Sequence, residues 1–497
     1  MSVAEYINSD VFVPVYGNGL PELNAPSVRA ICSELYFAIK ANEEIFVYGD
    51  YDMDGFCCNL VWEEVLSVLY DVPVKHFQYS TRQHTVDRDI LRQVGQTRAR
   101  VVIICDSGSG SEDHVVVNTL CAHGYTPIVI DHHVYEGDYD KDSMMYKMYN
   151  SYEERGLLGG AEVSGAYASL LVAAVLCKNY FHRPVPFNAL TYALGSMYAD
   201  VVDMATAPGR ALYNMVTSTK LQGPGLLIAM NPYRYGYTRR FFSFHINNRI
   251  NACFRSETFS VLNRALTSRD RYVLNSITED FKQVHVNTKR TVELLLPQFK
   301  RERFGGIVLA LHEVTDETLL LHVRNFSGLL AGRIARDEKS LAVVVIKNDG
   351  VYSGSFRDFH NRKLLDTFRV FCNADGHDQA FGLSFVNLAD FRRHLMILSR
   401  QLEVSDATDF ILIPSHLVQT RDDVDALALY NEYMNVQPSI QISHRCPYAK
   451  LLRSTTYRKF YNVGLPDEVQ SASPLVEGSN ILIEPCITSA IELRCVD

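Results

Sequence analysis

The eleven cysteines include no CxxC pair, and the chain shows no excess of positive charge, no long apolar block, no internal repeat and no low-complexity tract. Each absence excludes something. Scattered cysteines, with Cys57 and Cys58 adjacent and Cys105 inside an apolar run, argue against a disulfide or zinc framework. They point to reduced, mostly buried thiols in a cytoplasmic setting. The most apolar stretch, residues 170–176, is far short of the roughly 20 residues of a membrane-spanning helix, so no membrane partner is expected. The first residues lack a basic region followed by an apolar block, so no signal peptide is expected. A net charge of −9 weighs against nucleic-acid binding through bulk charge. Binding depends on local patches, however, and cations bound to an acidic site would reverse part of that balance. With 47% hydrophobic and 21% charged residues the chain reads as globular, and 497 residues imply two to four domains.

What is present is an acidic run behind an apolar one. Ile45, Phe46 and Val47 lead into Asp50, Asp52 and Asp54, and Gly55 follows. A period of two puts the three carboxylates on one side of an extended segment, with a turn at Gly55 and a helix from residue 57. Crowded anions are costly unless cations neutralise them, and hard oxygen donors suit Mg²⁺ or Mn²⁺. Alone, this pattern is as readily a solvated acidic turn. Three further apolar runs also end in donors: residues 101–104 before Asp106, Ser107 and Gly108; residues 127–130 before Asp131, His132 and His133; and residues 193–199 before Asp200. In an open parallel sheet, the C-terminal strand ends form the ligand-binding edge.

This ordered set, Asp-x-Asp-x-Asp-Gly, Asp-Ser-Gly, Asp-His-His and Ala-Asp, resembles the four motifs of the DHH phosphoesterases, most closely the RecJ-type single-strand exonucleases. The resemblance spans roughly residues 45–210. It implies two Mn²⁺ or Mg²⁺ ions held by Asp52, Asp54, Asp106, His132 and Asp200, with Asp106 and Asp200 bridging. Asp50 would ligate or orient a ligand, and Asp131 would anchor its strand end. His133 would contact the scissile phosphate or protonate the leaving oxygen. Asp106, His132 and His133 are thus the expected catalytic residues. Several relatives carry an additional His where this chain has Tyr48. Ser164, opening an apolar helix with Gly165 and Ala166, sits where related nucleases have a similar substrate-side Ser-Gly-Ala.

Residues 233–272 interleave eight arginines with Tyr233, Tyr235, Tyr237, Phe241, Phe242, Phe244 and Phe254, and acidic residues are almost absent. Arginine neutralises phosphates and aromatic faces stack on unpaired bases. A core segment with a solvated basic face fits the composition equally well. Within it, Arg249-Ile-Asn251-Ala-Cys-Phe-Arg255 resembles a RecJ-type motif, implying that Arg249, Asn251 and Arg255 bind the strand. Residues 259–303 read as one long helix or two in series, ending near Pro297. Beyond them, residues 305–311, 341–346 and 351–356 read as strands, residues 328–335 as a glycine-flanked helix start, and Asn348-Asp349-Gly350 as a hairpin turn. Ser355, Arg357 and the run Gly376-His377-x-x-Ala-x-Gly resemble the DHH-associated substrate lobe. By that resemblance Ser355, Arg357, Gly376 and His377, together with Arg333, would hold the terminal nucleotide.

The expected architecture is α/β: an N-terminal cap (1–44), a parallel-sheet DHH catalytic domain (45–258), a long connecting helix (259–303), a second α/β DHH-associated lobe (304–400) and a small β-rich C-terminal domain (401–497). The last has short apolar runs and a basic, aromatic stretch at 444–461 compatible with an OB-like module. The implied activity is two-metal-ion hydrolysis of single-stranded DNA from its 5′ end, in repair, recombination or replication, by a monomer with replication or repair proteins as partners. RNA is an open alternative substrate. Alternatives are a nano-oligonucleotide or cyclic-dinucleotide phosphodiesterase, or a non-catalytic replication scaffold of the same fold. A manganese pyrophosphatase fits worst.

Overall fold

A computed structural model describes residues 19–497 except 81–84, 135–143, 219–222, 232–234, 314–316, 361, 378–379, 403–409, 416–417, 419, 434–438, 446–449, 455–458, 464, 466–468, 472–474, 476–479, 488–490 and 496–497. Tyr233, and residues 446–449 and 455–458 of the basic C-terminal stretch, therefore lie outside the described residues. The chain forms two compact units. One runs to Phe281 and also includes Leu412–Val436 and Ile440–Asp497; the other comprises Lys282–Ile411 and Gln437–Ser439. No described helix is long and apolar enough to cross a membrane.

The first unit is built on a five-stranded sheet of β1 (Ile45–Gly49), β2 (Lys75–His76), β3 (Val101–Cys105), β4 (Thr126–Asp131) and β5 (Lys147–Asn150), in the order β2-β1-β3-β4-β5 and parallel throughout. All residues of β1 and β3 are buried, as their unbroken apolar runs require of strands covered on both faces. Helices α1 (Pro26–Lys40), α2 (Met53–Leu69), α3 (Ser111–Ala122), α4 (Gly165–Val175) and α5 (Phe187–Ala199) surround it. In α1 the helically spaced Val28, Ile31, Leu35 and Ala38 are the buried face, as their spacing predicts.

Of the two readings of residues 259–303, the structure has two helices in series, Phe259–Thr267 and a 25-residue helix, and α6 (Asn248–Arg255) precedes both. Asp270 accepts the amides of Tyr272 and Val273, which starts the longer helix, α7 (Arg271–Leu295). The second unit carries six strands, β6 (Lys300–Phe304), β7 (Ile307–Glu313), β8 (Leu341–Asn348), β9 (Val351–Asp358), β10 (Asn373–His377) and β11 (Ala380–Phe385). Their order is β10-β11-β9-β8-β7-β6, with only β7 and β8 parallel. The β8–β9 turn has positive φ at Asp349 (46°) and Gly350 (80°), the backbone that Asp-Gly supplies to a tight hairpin. The glycine-flanked helix start at 328 is instead the interior of α8 (Glu317–Glu338). A Cβ on Gly328 would lie 2.9 Å from Arg357 Nη2.

C-terminal residues supply a seven-stranded sheet and α9 (Arg421–Tyr433), which packs on two of its strands, Asn480–Ile487 and Ile491–Cys495. Most of this part belongs to the first compact unit. The reading from composition found its β content and missed α9. A local signal was available: Thr420 and Asp423 exchange hydrogen bonds as a capping box, ahead of buried Val424, Leu427 and Ala428.

Candidate metal centre

Strand β1 stops at Gly49 and α2 starts at Met53, so Asp50, Asp52 and Asp54 do not share an extended segment as their period suggests. Asp52 is the helix N-cap. Its Oδ1 accepts the amides of Asp54 (2.8 Å) and Gly55 (3.1 Å). The pinch depends on two glycines in backbone contact. A Cβ on Gly49 would lie 1.9 Å from the Gly55 carbonyl oxygen, and one on Gly55 2.2 Å from the Asp50 nitrogen. Gly55 thus permits close approach rather than an unusual φ.

Asp54, in the first turn of α2, is fully buried. Its Oδ2 accepts the Gly165 amide (2.7 Å), and its Oδ1 accepts the Ala166 amide (2.8 Å) and the Ser196 hydroxyl (2.6 Å). The first two donors are the free N-terminal amides of α4, a site that favours a carboxylate. Ser164 caps that helix through the Tyr167 amide and bonds the Ser196 hydroxyl. With no exposed surface, Ser164 is a support for Asp54 and not the substrate contact expected from sequence. Ser196 carried no assignment in the sequence, although it lies four residues before Asp200, one turn away on the same helix.

Asp106 follows β3 with φ +60°, a left-handed conformation that costs free energy for any residue with a Cβ. Gly165 packs so tightly on it that a Cβ there would lie 2.8 Å from the Asp106 Cβ. His132 Nε2 lies 3.0 Å from Asp106 Oδ1, 3.5 Å from Asp200 Oδ2 and 3.7 Å from Asp54 Oδ2. Asp131, buried at the tip of β4, accepts the amides of Ser109, His132 and His133, and His133 Nδ1 at 2.8 Å. It anchors the strand end, as expected. Asp113, overlooked in the sequence, accepts the amides of Val86, Gly108 and Gly110 and so fixes the loop after Asp106.

The electrostatics follow from burial. Burial raises the pKa of Asp52, Asp54 and Asp106 above the ordinary carboxylate range, and mutual repulsion, including that of Asp200, adds to it. Burial opposes ionisation of Asp131 too, but His133 outweighs it and holds that carboxyl low. The His133 side chain is 54% exposed, and against the desolvation within the site its pairing with Asp131 raises it to about 10.

Residues 44–194 match the family model described as the DHH family, N-terminal domain. The chain carries a DHH-family domain. No curated protein sequence matches the chain. Among solved structures, the chain is similar to RecJ from Thermus thermophilus in complex with Mn²⁺: 18% identity, all of this chain and 75% of that one, TM-score 0.69. The Mg²⁺ complex of RecJ from the same organism gives 17%, all of this chain, 73% of that chain and 0.63. An exonuclease RecJ bound to manganese gives 18%, 78% of this chain, 98% of that chain and 0.56. At these identities the likeness is one of fold: the protein has a RecJ-like architecture around its DHH domain.

The DHH site fits a divalent cation by its donor set. Ligand atoms of Asp54, His132 and Asp200 lie within 4.8 Å of one another, as do those of Asp106, Asp131, His132 and His133. These are carboxylate oxygens and imidazole nitrogens, suited to Mn²⁺ or Mg²⁺. Neither group includes Asp50 or Asp52, and an oxygen of Asp52 serves the helix cap. Tyr48 is wholly buried and accepts the Asp87 amide.

The basic, aromatic segment departs from its sequence reading. Phe241, Phe242 and Phe254 are core residues at 1% exposure or less, so they are not base-stacking faces. Tyr235 stacks on His245, and Tyr237 on Phe242. Phe244, 63% exposed with Arg240 over its ring, is the open aromatic among the described ones named above. In α6, Asn251 Oδ1 accepts the Met53 amide, tying the segment to the start of α2. Arg255 lies one turn further on, on the same face. Arg249 is half-buried, burial lowers its pKa, and its Nη1 is buried with no partner among the described residues.

In the second unit Ser355 bonds the Ser327 hydroxyl at 2.8 Å. Arg357 has no acidic partner among the described residues, and burial lowers it to about 10. Gly376, at φ +131°, is in β10, as is the backbone of His377. Arg333, expected to meet a nucleotide, is exposed and pairs with Asp337 and Glu293.

Proposed function

We propose that this protein is a divalent-metal-dependent phosphodiesterase that shortens single-stranded DNA from the 5′ end. The observation that carries this reading is the convergence of Asp54, Asp106 and Asp200 on His132 Nε2, within 3.0–3.7 Å, inside a DHH domain. Two Mn²⁺ or Mg²⁺ ions are inferred, with Asp54, Asp106, His132 and Asp200 as ligands and Asp50 beside them. Such ions supply Lewis acidity toward a phosphoryl oxygen and make water acidic enough to serve as a nucleophile.

The chain's own contributions can be assigned. The Asp131-anchored loop and the α4 amides hold the ligand carboxylates in place before substrate arrives, so little reorganisation is needed during reaction. His133 is joined to the site through its bond to Asp131. Held at Nδ1 by Asp131, it contacts the scissile phosphate or protonates the leaving oxygen. Arg249 and Arg255 neutralise strand phosphates. Ser355 and Arg357, with Gly376 and His377, hold the terminal nucleotide. The 5′ preference comes from likeness to the RecJ nucleases, as does a role in DNA repair, recombination or replication alongside proteins of those pathways.

The test is cleavage of oligonucleotides labelled at the 5′ or 3′ end, with Mn²⁺, Mg²⁺ or EDTA. Release of the 5′ label as mononucleotide, lost in EDTA and absent with duplex, is expected. Cleavage of dinucleotides alone would move the assignment to a small-substrate phosphodiesterase. No cleavage of any phosphodiester with either metal would overturn it.

A further inference from the structure

We propose that Glu432, delivered by α9 from the C-terminal part of the chain, is a positioning residue for Asp200 in the DHH site. The inference rests on the functional reading above and extends it to a segment outside the DHH domain. Glu432 is buried at 4% exposure, and its Oε1 accepts both the Tyr198 hydroxyl (2.8 Å) and the Arg239 amide. Tyr198, itself 3% exposed, stands two residues before Asp200 at the end of α5.

That end needs support from outside. Asp200 is the C-cap, and Val201 turns at φ +55°, so no further helical turn holds the carboxylate. Glu432 restrains the last turn through Tyr198. The same carboxylate oxygen fixes the Arg239 amide, where the basic segment begins its turn toward Arg249. Phe242 closes the arrangement, packing against the Tyr198 ring at 6.0 Å, and a Cβ on Gly195 would lie 2.6 Å from it. On its own side Glu432 is held rigidly. Asn431 Nδ2 donates to the Pro485 carbonyl at 3.0 Å, and Val424, Leu427 and Ala428 are buried beneath α9.

Burying a carboxylate is costly, and an apolar side chain would pack α9 without that cost. A carboxylate that bonds two elements of the DHH unit therefore does more than fill space. The groups that act on it are Tyr198 of α5 and Arg239. Tyr213 acts on Tyr198, and Asp203 faces Tyr430 on α9, two residues before Glu432. Burial raises the Glu432 pKa to about 7, partly offset by the Arg239 amide, the Arg239 charge and the Tyr198 hydroxyl.

The test uses the full-length chain and Mn²⁺ titration read by the electron paramagnetic resonance of free Mn²⁺. Glu432→Ala and Tyr198→Phe are each expected to weaken Mn²⁺ binding at pH 8 by about tenfold, the range seen when a group supporting a metal ligand is removed. Glu432→Gln, which keeps the acceptor oxygen, is expected to bind nearly as the parent does at pH 8. If Glu432→Ala fails to fold, Tyr198→Phe, which removes only a hydroxyl, still decides the matter. Parent-like Mn²⁺ affinity in both Tyr198→Phe and a folded Glu432→Ala overturns the positioning role alone. An unmodified chain that binds no Mn²⁺ overturns the functional reading on which it rests.

Discussion

Each carboxylate of the site is held in a different way, so substitutions should separate them. Asp54 satisfies two α4 amides and a serine hydroxyl. Asp54→Ala leaves those donors unpaired and should destabilise the protein by about 1–3 kcal/mol, measured by urea denaturation. Asp106 makes its demand on the backbone. Asparagine tolerates the left-handed region, so Asp106→Asn should abolish cleavage while leaving metal-free stability equal or higher, because one buried anion is gone. Asp106→Ala should be less stable than Asp106→Asn by about 1 kcal/mol of backbone strain. An Asp106→Asn protein that still cleaved DNA at the parent rate would remove Asp106 from the metal site.

Among the elements, α4 and the segment containing α6 matter most. Ser164→Ala removes the α4 cap and should cost about 1 kcal/mol in denaturation experiments. It should also reduce cleavage through Asp54 without changing the salt dependence of strand binding. Arg249→Ala should behave oppositely, with stability retained and the log–log salt slope of binding reduced by about 1. Within the same segment Phe254→Ala should destabilise by about 3–5 kcal/mol because it empties core, whereas Phe244→Ala should leave stability unchanged. Equal and small effects of the two Phe changes on stability would contradict the burial of Phe254.

Across the whole molecule, a net charge of −9 is compatible with a nucleic-acid enzyme because binding depends on local patches and cations bound at the site would offset part of the acidity. Asp52, Asp54 and Asp106 have folded-state pKa values raised above their unfolded values. The folded protein then binds more protons than the unfolded chain, so metal-free stability should fall as pH rises from the unfolded carboxylate range near 4 through neutrality. In EDTA the melting temperature should be lower at pH 8 than at pH 6, and Mn²⁺ should raise it more at pH 8, because ligand oxygens must be deprotonated to bind. A melting temperature in EDTA that rose between pH 6 and pH 8 would mean the cluster does not carry this strain.

The sequence alone determined the parallel sheet, its apolar strands and the donors at their ends, because strand burial and helix spacing are written in neighbouring residues. It also determined the Asp349-Gly350 hairpin, whose backbone is a property of two residues. Tertiary structure decided what lies between distant positions. The Gly165 contact with Asp106, the Phe254 core and the Arg333–Glu293 ion pair all depend on which surfaces meet. The Glu432–Tyr198 bond joins residues 234 apart in the chain. No periodicity reports a contact of that kind, because its energy exists only once both segments have folded and met.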